Sequence, residues 1–446
     1  MNNLSLYLFL VVNLAMIGIC LFPKKGEVRI YEFPFWAGII NLGFFGPMAI
    51  RCLPEADAFP EGAYAGAMLF ASLCCLFCWL GFVQARKRKS AGSSWLAASF
   101  DDNKLFYAAA GLCIFGFYFQ YKLWSLPEEL LNMSQWSGAT TKYLFFASTY
   151  KFGLLILLLL YWRKPAWRPK ILAFLLPSLL ILFGIAFLRG RRAEMMNLLA
   201  YLIVPLWFVR RIAIPRLVLG SGLVAGLIFI GGIGLYRTVM IERPDLSLKE
   251  RFALAWQQDY YGTFTGRKES SPEFMNYVYN YAAYSRSLDF DYGLRHWNAL
   301  VFNYVPAQIV GYSRKESLML SFRDPRGVVE AKYGYAWRNG STSTGFSDAF
   351  LSFWWFGVIK FWLAGWIMGA LYRRAMESKF LAIFLYACML KEGMQAFTHS
   401  THGILVRDWV YFFTIAFPLF YWAKSVALPK RILTLRRTQL QESAPE

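Results

Sequence analysis

Long uninterrupted runs of apolar residues constrain the fold of this chain more than any other feature of its sequence. They reach about 18 to 22 residues, the length that a helix needs to cross a hydrocarbon core about 30 Å thick. Because lipid offers no hydrogen-bond partner, each run must satisfy its own backbone N–H and C=O groups, as a helix does. The sequence therefore predicts an all-α polytopic membrane protein.

About eleven transmembrane helices are predicted from these runs. They lie near residues 3–22, 31–51, 64–85, 105–125, 143–162, 170–188, 194–209, 216–236, 348–372, 379–398 and 403–424. The first run has no basic segment before it and no small-residue cleavage site after it. It is therefore predicted to be a retained span rather than a signal peptide.

One connection differs from the others in its length. Residues 237–347 separate the eighth and ninth predicted spans, and long loops in compact proteins tend to be functional. The chain is thereby divided into eight spans (1–236), one large loop (237–347), three further spans (348–424) and a terminal tail (425–446).

The short connections alternate between basic and non-basic composition. Lys and Arg are concentrated at 23–29, 86–89, 163–170, 210–216, 372–379 and 429–437. They are sparse at 53–62, 126–142 and 398–403. Because cytoplasmic loops carry the excess of basic residues, we expect the N-terminus and the large loop in the periplasm and the C-terminus in the cytoplasm. These clusters explain most of the net charge of +20, so no nucleic-acid partner is expected.

Three arginines interrupt this alternation. Arg189, Arg191 and Arg192 lie in "FLRGRRAE" (187–194), on a short connection that the pattern assigns to the outside. An anion site at the outer membrane surface would explain them, because a guanidinium is permanently charged and offers phosphate a fixed fork of donors. A stray cluster or a miscounted span is the alternative.

The cysteines carry no recognisable metal or disulfide pattern. Six of the seven lie within apolar runs, and Cys74, Cys75 and Cys78 are close together in one of them. No histidine or second cysteine pair accompanies these three at ligand spacing. We therefore predict buried small hydrophobic side chains and no metal site.

The large loop mixes aromatic residues with charges, as in "WQQDYYGTFTGRKE" and "YNYAAYSRSLDFDYGLRHWN". Aromatic rings stack on the apolar faces of sugars, while Asp, Asn, Gln and Arg bond hydroxyl groups. This mixture suits carbohydrate binding. The alternative is a folded periplasmic cap whose aromatic side chains pack on one another and on the lipid interface.

Two stretches resemble a known family. They are "RHWNALVFNYVPAQIVGY" (295–312) and "NGSTSTGFSDAFLSFWWFGV" (339–358), and they are similar to late-loop patterns of bacterial O-antigen and exopolysaccharide repeat-unit polymerases of the Wzy type. The predicted topology and the arginine-rich outer turn also look like that family. The motif-level similarity covers residues 190–360. One departure is Ala307, where the family often has a basic residue after the proline.

This resemblance implies a fold, a location and a reaction. It implies a GT-C-like architecture in the bacterial inner membrane. The implied enzyme is a metal-independent glycosyltransferase without a cofactor. It would transfer a growing glycan from undecaprenyl pyrophosphate to the non-reducing end of another lipid-linked repeat unit. The implied partners are the lipid-linked oligosaccharide, membrane lipids and a chain-length regulator.

The same resemblance assigns roles to individual residues. The donor pyrophosphate needs fixed cations near the membrane surface, and the predicted ones are Arg189, Arg191, Arg192, Arg237, Arg243, Arg295 and Arg407. The acceptor hydroxyl needs a base. His296 is the histidine of the large loop and is the first choice, against a structural role. Asp348 is the alternative candidate for this base. Its other predicted role is structural, as the N-cap of the ninth span.

Four charged residues lie within predicted spans, where an isolated charge costs several kcal/mol. Lys391 and Glu392 are predicted to point to different helix faces without neutralising each other, and to line a substrate groove or transport path. Lys151 and Lys360 are predicted either to share such a role or to extend to the interface.

Three classes of function compete on the sequence alone. A lipid-linked glycan polymerase is preferred, and an O-antigen ligase with the same donor is its near neighbour. A flippase or transporter is disfavoured because no internal repeat is visible and one long loop dominates. A membrane scaffold or sensor would leave the outer arginines unexplained.

Overall fold

The computed structural model is predominantly helical in the residues that it describes. These are 1–24, 27–88, 95–127, 130, 139–187, 191–215, 217–222, 236, 239, 243, 246–257, 271–287, 290–305, 307–338 and 341–425. The described residues form no β-strand, and one isolated bridge joins Phe100 to Lys424.

Seven helices precede the segment predicted as the large loop. They are α1 Asn2–Leu21, α2 Phe33–Cys52, α3 Ala63–Lys87, α4 Asp102–Trp124, α5 Ala139–Arg163, α6 Arg168–Phe187 and α7 Arg192–Arg210. Six shorter helices follow: α8 Leu248–Gln257, α9 Pro272–Ser287, α10 Leu294–Tyr304, α11 Ala307–Val310, α12 Tyr312–Ser317 and α13 Pro325–Tyr333. The last four are α14 Thr344–Phe353, α15 Val358–Met376, α16 Phe380–Thr398 and α17 Gly403–Ala423.

Nine stretches within the described residues are long and apolar enough to cross a membrane, and they match nine of the predicted spans. The prediction of an all-α polytopic membrane protein is therefore confirmed. The predicted span near 105–125 forms helix α4, which is not among the nine. The predicted span near 216–236 lies mostly outside the described residues. The total of eleven spans stays a prediction.

The tightest helix pair, α3 with α15, depends on small residues. A Cβ atom added to Gly81 would meet the Trp362 carbonyl, and one added to Gly365 would meet the Cys78 carbonyl. In lipid the hydrophobic effect does not drive helices together, so they associate through close packing of this kind at small residues. Cys74, Cys75 and Cys78 are buried free thiols on α3, which confirms their predicted role as small core side chains.

The predicted ninth span is broken into two helices. α14 ends at Phe353, and Trp354 then adopts a positive φ of 53°. The backbone folds back so far that a Cβ on Gly357 would meet the Ala349 carbonyl. A bulky residue at positive φ stores strain, which packing around the "FWWFG" turn must compensate. The span predicted near 348–372 is thus present as a membrane-length stretch but is broken near its start, and the break directs the start of α15 towards α14.

The described part of 237–347 is a folded helical segment rather than an extended loop. Tyr279 stacks on Tyr335 with ring centroids 4.3 Å apart, and Tyr236 stacks on Phe252 at 4.5 Å. Aromatic side chains in and next to this segment therefore pack on one another, while the periplasmic location and the carbohydrate-binding role stay predictions.

Candidate functional site

The two predicted catalytic residues lie together in the structure. His296 is on α10, Asp348 is on α14, and the turn 399–402 between α16 and α17 packs between them. The closest His296 and Asp348 atoms, Nδ1 and Oδ1, are 3.9 Å apart. This is too long for a hydrogen bond, but it is close enough for the carboxylate to stabilise a proton on the imidazole.

Asp348 lies inside a helix and not at its end. α14 begins four residues earlier, at Thr344, with Ser343 as its N-cap. The Thr344 hydroxyl accepts the Ser347 N–H at 3.3 Å and so helps to close the first turn. The alternative role of Asp348 as a helix N-cap is therefore wrong. The helix is buried from Thr344 to Ser352, which takes the Asp348 carboxylate out of solvent.

Lys360 supplies the cation that this buried carboxylate needs. Its Nζ lies 3.5 Å from Asp348 Oδ1 and donates to the Ser352 hydroxyl at 2.7 Å. Both charged side chains are almost inaccessible, so each would be costly to bury alone. The alternative in which Lys360 extends to the interface is wrong, because the fold at Trp354–Gly357 returns its chain to α14.

Thr401 completes the bonding of the carboxylate and was missed by sequence reasoning. Its backbone N–H donates to Asp348 Oδ2 at 3.0 Å, and its hydroxyl donates to the same oxygen at 2.5 Å. An ionised carboxylate only accepts, so the hydroxyl proton is used in this bond. The residue's only sequence signal was its place in the short polar turn "THSTHG".

These bonds determine which nitrogen of His296 carries the proton of the neutral imidazole. Its Nε2 lies 3.2 Å from Thr401 Oγ1, whose proton is already given to Asp348. Nε2 must therefore carry the imidazole proton and donate it to Thr401. Nδ1 is left with a free lone pair, facing the Asp348 carboxylate that would stabilise it once protonated.

Burial makes His296 a neutral group at physiological pH. It lowers the pKa of His296 below the usual 6.5, although the Asp348 carboxylate acts in the opposite direction. The His296 side chain is 13% exposed and that of Asp348 is 5% exposed. The imidazole is thus closer to solvent than the carboxylate. A base and the group that orients it need this arrangement, because the base must be accessible to a substrate.

A second imidazole adjoins the first. The rings of His296 and His402 are 5.3 Å apart at 74° to each other. His402 is only 8% exposed, and neither of its ring nitrogens has a hydrogen-bond partner among the residues that the structure describes. We name His296, Thr401, Asp348, Lys360 and His402 the imidazole centre.

Next to this centre lies an ion-pair cluster, which we define as Lys151, Glu194, Lys391, Glu392, Arg407 and Asp408. Glu392 forms ion pairs with Lys391 and with Arg407 Nη2, the latter at 2.7 Å. The prediction that Lys391 and Glu392 do not neutralise each other is therefore wrong, because the long lysine side chain reaches its neighbour's carboxylate.

The other charged residues of the ion-pair cluster also have oppositely charged partners. Arg407 Nε contacts Asp408 at 2.8 Å, and Lys151 contacts Glu194 at 2.5 Å. Lys151 therefore has a carboxylate partner within the protein and does not depend on the interface. Glu194 also accepts a hydrogen bond from Asn197 at 2.8 Å.

The predicted arginines are distributed between several environments. Arg407 belongs to the ion-pair cluster, and Arg295 pairs with Asp291 at 3.1 Å while its guanidinium lies over Phe322. Arg191 is the half-buried N-cap of α7, and Arg192 is the first residue of that helix. Arg243 is exposed.

Arg189 and Arg237 lie outside the described residues. A pyrophosphate-binding role for the seven predicted arginines stays a prediction.

No set of three or more His, Cys, Asp or Glu side chains within the described residues is arranged to bind a metal ion. In comparisons with known proteins, no family model, no curated protein and no solved structure matches this chain.

Proposed function

We propose that this chain is a membrane glycosyltransferase that polymerises lipid-linked oligosaccharide repeat units, with His296 as the base for the acceptor hydroxyl. The observation that carries the proposal is the bonded series His296–Thr401–Asp348. It holds one imidazole as a neutral base beside a buried carboxylate. A general base needs this combination of a free lone pair and a group that orients it.

The proposed reaction is a displacement at the anomeric carbon of the donor. The acceptor oxygen forms the new glycosidic bond while its proton passes to His296 Nδ1. The bond between the anomeric carbon and the phosphate oxygen breaks, and its electron pair leaves with the lipid pyrophosphate. The Asp348 carboxylate stabilises the imidazolium that forms, and the Lys360 ammonium keeps that carboxylate ionised.

The leaving pyrophosphate requires positive charge at the membrane surface. The start of α7 is suited to this role because a helix N-terminus favours anions, and two of the predicted arginines, Arg191 and Arg192, lie at its first positions. We assign the donor pyrophosphate to this end of α7, with Arg189 and Arg191 or Arg192 as its bidentate partners.

The proposal includes a setting for the reaction. It places eleven spans of a GT-C-like architecture in the bacterial inner membrane, with the N-terminus and residues 237–347 in the periplasm and the C-terminus in the cytoplasm. The substrates are undecaprenyl pyrophosphate-linked oligosaccharides, and a chain-length regulator is the proposed protein partner.

Deleting the gene and resolving the surface glycan on a gel tests this function. We expect a product with a single repeat unit and the loss of all longer chains. Complementation with the wild type should restore the ladder, and His296→Ala should lower the polymerisation rate by about a hundredfold or more. His399→Ala, at an exposed histidine close by in sequence to the imidazole centre, is the matched control and should behave as the wild type.

The outcomes separate the competing activities. Loss of every glycan from the lipid A core would identify a ligase instead of a polymerase. An unchanged ladder in the deletion strain would contradict both activities. Normal chains made by His296→Ala, at the wild-type level of membrane protein, would remove His296 as the base.

A further inference from the structure

His402 is a buried polar side chain that the folded protein leaves without a partner. It is 8% exposed, and both ring nitrogens lack a hydrogen bond to any described residue. A buried donor or acceptor that loses water and gains nothing in exchange destabilises the fold. Other described side chains have one such buried atom, but His402 is the one among them with two, and a group of this kind calls for an explanation such as a bound water, a ligand or a functional role.

The neighbouring His399 shows that the turn itself does not require this arrangement. It lies three residues earlier, is exposed, and its Nδ1 is bonded to the Thr398 hydroxyl at 2.8 Å. Of the two histidines in the turn, only the one that faces His296 is left unpartnered. The unpartnered nitrogens of His402 are therefore a local property of the imidazole centre.

The chemistry around His402 selects the kind of group that it can receive. His296 presents a lone pair at Nδ1, and the Asp348 carboxylate lies 3.9 Å from that nitrogen. An anionic oxygen would be repelled by both. A neutral His402 presents one N–H and one lone pair. A group that satisfies both rings must bring a proton to Nδ1 and a lone pair to the N–H of His402, as a hydroxyl group does.

We infer that His402 is a second substrate-binding imidazole, which donates a hydrogen bond to the acceptor sugar's hydroxyl oxygen while His296 Nδ1 receives the hydroxyl proton. With ring centroids 5.3 Å apart, the two imidazoles lie near enough for a single hydroxyl group beside them to contact both. This assignment rests on the proposed function and adds the residue that holds the acceptor.

The neutral state of His402 fits this role. Burial lowers the pKa of His402 to about 4, and the neighbouring His296 acts in the same direction. An uncharged imidazole does not compete for the proton that His296 takes. As that proton moves, the N–H of His402 continues to hold the acceptor oxygen in position.

His402→Phe and His402→Leu test the inference by opposite effects on stability and on activity. Removing an unsatisfied buried group should raise the melting temperature of the purified protein by about 2 °C or more. The same variants should raise the KM for the acceptor by about tenfold, with a smaller change in kcat. The acceptor probe is the lipid-linked repeat unit that accumulates in the deletion strain.

Two further variants complete the design. His402→Gln retains a donor and should recover part of the acceptor affinity. His399→Phe replaces a partnered, exposed imidazole and should raise neither the melting temperature nor the KM.

A lower melting temperature in both His402→Phe and His402→Leu would show that the imidazole supports the fold, and would overturn the assignment. A normal acceptor KM in these variants would also overturn it, while leaving the proposed function intact. A further contrary result would be a chelator that abolishes the activity of the wild type but not that of His402→Phe. That result would identify His402 as a metal ligand and would equally overturn the assignment. An unchanged glycan in the deletion strain removes the proposed function first, and the assignment with it.

Discussion

The turn between α16 and α17 separates two buried polar clusters of different character. On one side is the imidazole centre, in which no described residue bonds to His402 or donates to His296 Nδ1. On the other side is the ion-pair cluster, in which three cations face three carboxylates. A Cβ on Gly403 would meet Glu392 and Arg407, so the turn's backbone passes directly against the second cluster.

The difference between the clusters indicates which one does chemistry. Buried polar groups that are fully paired rigidify a core, and they have no capacity left for a substrate. The ion-pair cluster is close to this description, since each of its charges has an oppositely charged partner within the protein. The imidazole centre retains groups that can take up a proton or a hydrogen bond. We infer that the ion-pair cluster supports the turn that the imidazole centre uses.

The largest effect that this comparison predicts is the loss of folded protein in Glu392→Ala. The substitution leaves Lys391 and Arg407 side by side without the carboxylate that both contact. Breaking a buried ion pair from one side destabilises a protein by about 3–5 kcal/mol. The yield of monodisperse protein after detergent extraction should fall sharply.

The matched control for this change lies in the other cluster. His296→Ala removes the proposed base and leaves no buried charge without its partner, so it should be extracted at close to the wild-type yield. If Glu392→Ala is also extracted normally but makes no polymer, the ion-pair cluster takes part in the reaction and the comparison fails.

A smaller effect is expected from acid, and it should come from the imidazole centre. Burial holds the pKa of His402 at about 4, against 6.5 for a free imidazole, and it also lowers the pKa of His296. Above pH 6.5 both folded and unfolded chains leave these rings neutral, so they contribute no pH dependence. As the pH falls from 6.5 towards 4, these rings bind protons in the unfolded chain but not in the folded chain. The free energy of unfolding therefore decreases.

The part due to His402 should be on the order of 3 kcal/mol by pH 4. Melting temperatures of the wild type and His402→Phe, measured from pH 7.5 to pH 4.5, give this part as the difference between the two curves. The wild-type curve should fall more steeply below pH 6.5. Parallel curves would show that His402 does not titrate differently on folding.

The fold was largely predictable from the sequence, because span length and apolar content are local properties. Nine predicted spans have their helices, and the buried cysteines follow from the same pattern. The break at Trp354 was not predictable, because a tryptophan at positive φ is tolerated only when its surroundings hold it there. That break also explains why Lys360 meets Asp348.

The candidate site was predictable only in its residue types. His296 and Asp348 were named because a base and a carboxylate are chemically required, not because the sequence brings them together. Thr401 lies 105 residues from His296 and 53 from Asp348, so its bonds depend on tertiary packing. The special property of His402 is the absence of a partner, which no sequence pattern reports.

The smallest predicted effect concerns the arginines of 189–192, which adjoin the ion-pair cluster through Glu194. If they bind the donor pyrophosphate, this end of α7 is a second functional region. Replacement by lysine then keeps the charge but loses the bidentate fork. Arg→Lys at the critical position should lower polymerisation by about tenfold, nearly as much as Arg→Ala, since a hydrogen bond to a charged group contributes about 1.5–3 kcal/mol.

An anchor role predicts the reverse, because membrane orientation depends on charge and lysine serves as well as arginine. The measurement is the polymer length distribution of the six single variants of Arg189, Arg191 and Arg192 to Lys and to Ala, each normalised to protein in the membrane. We expect the first pattern at Arg191 or Arg192, which stand at the start of α7. Full-length polymer from all three lysine variants would leave the imidazole centre as the one functional region that this comparison supports.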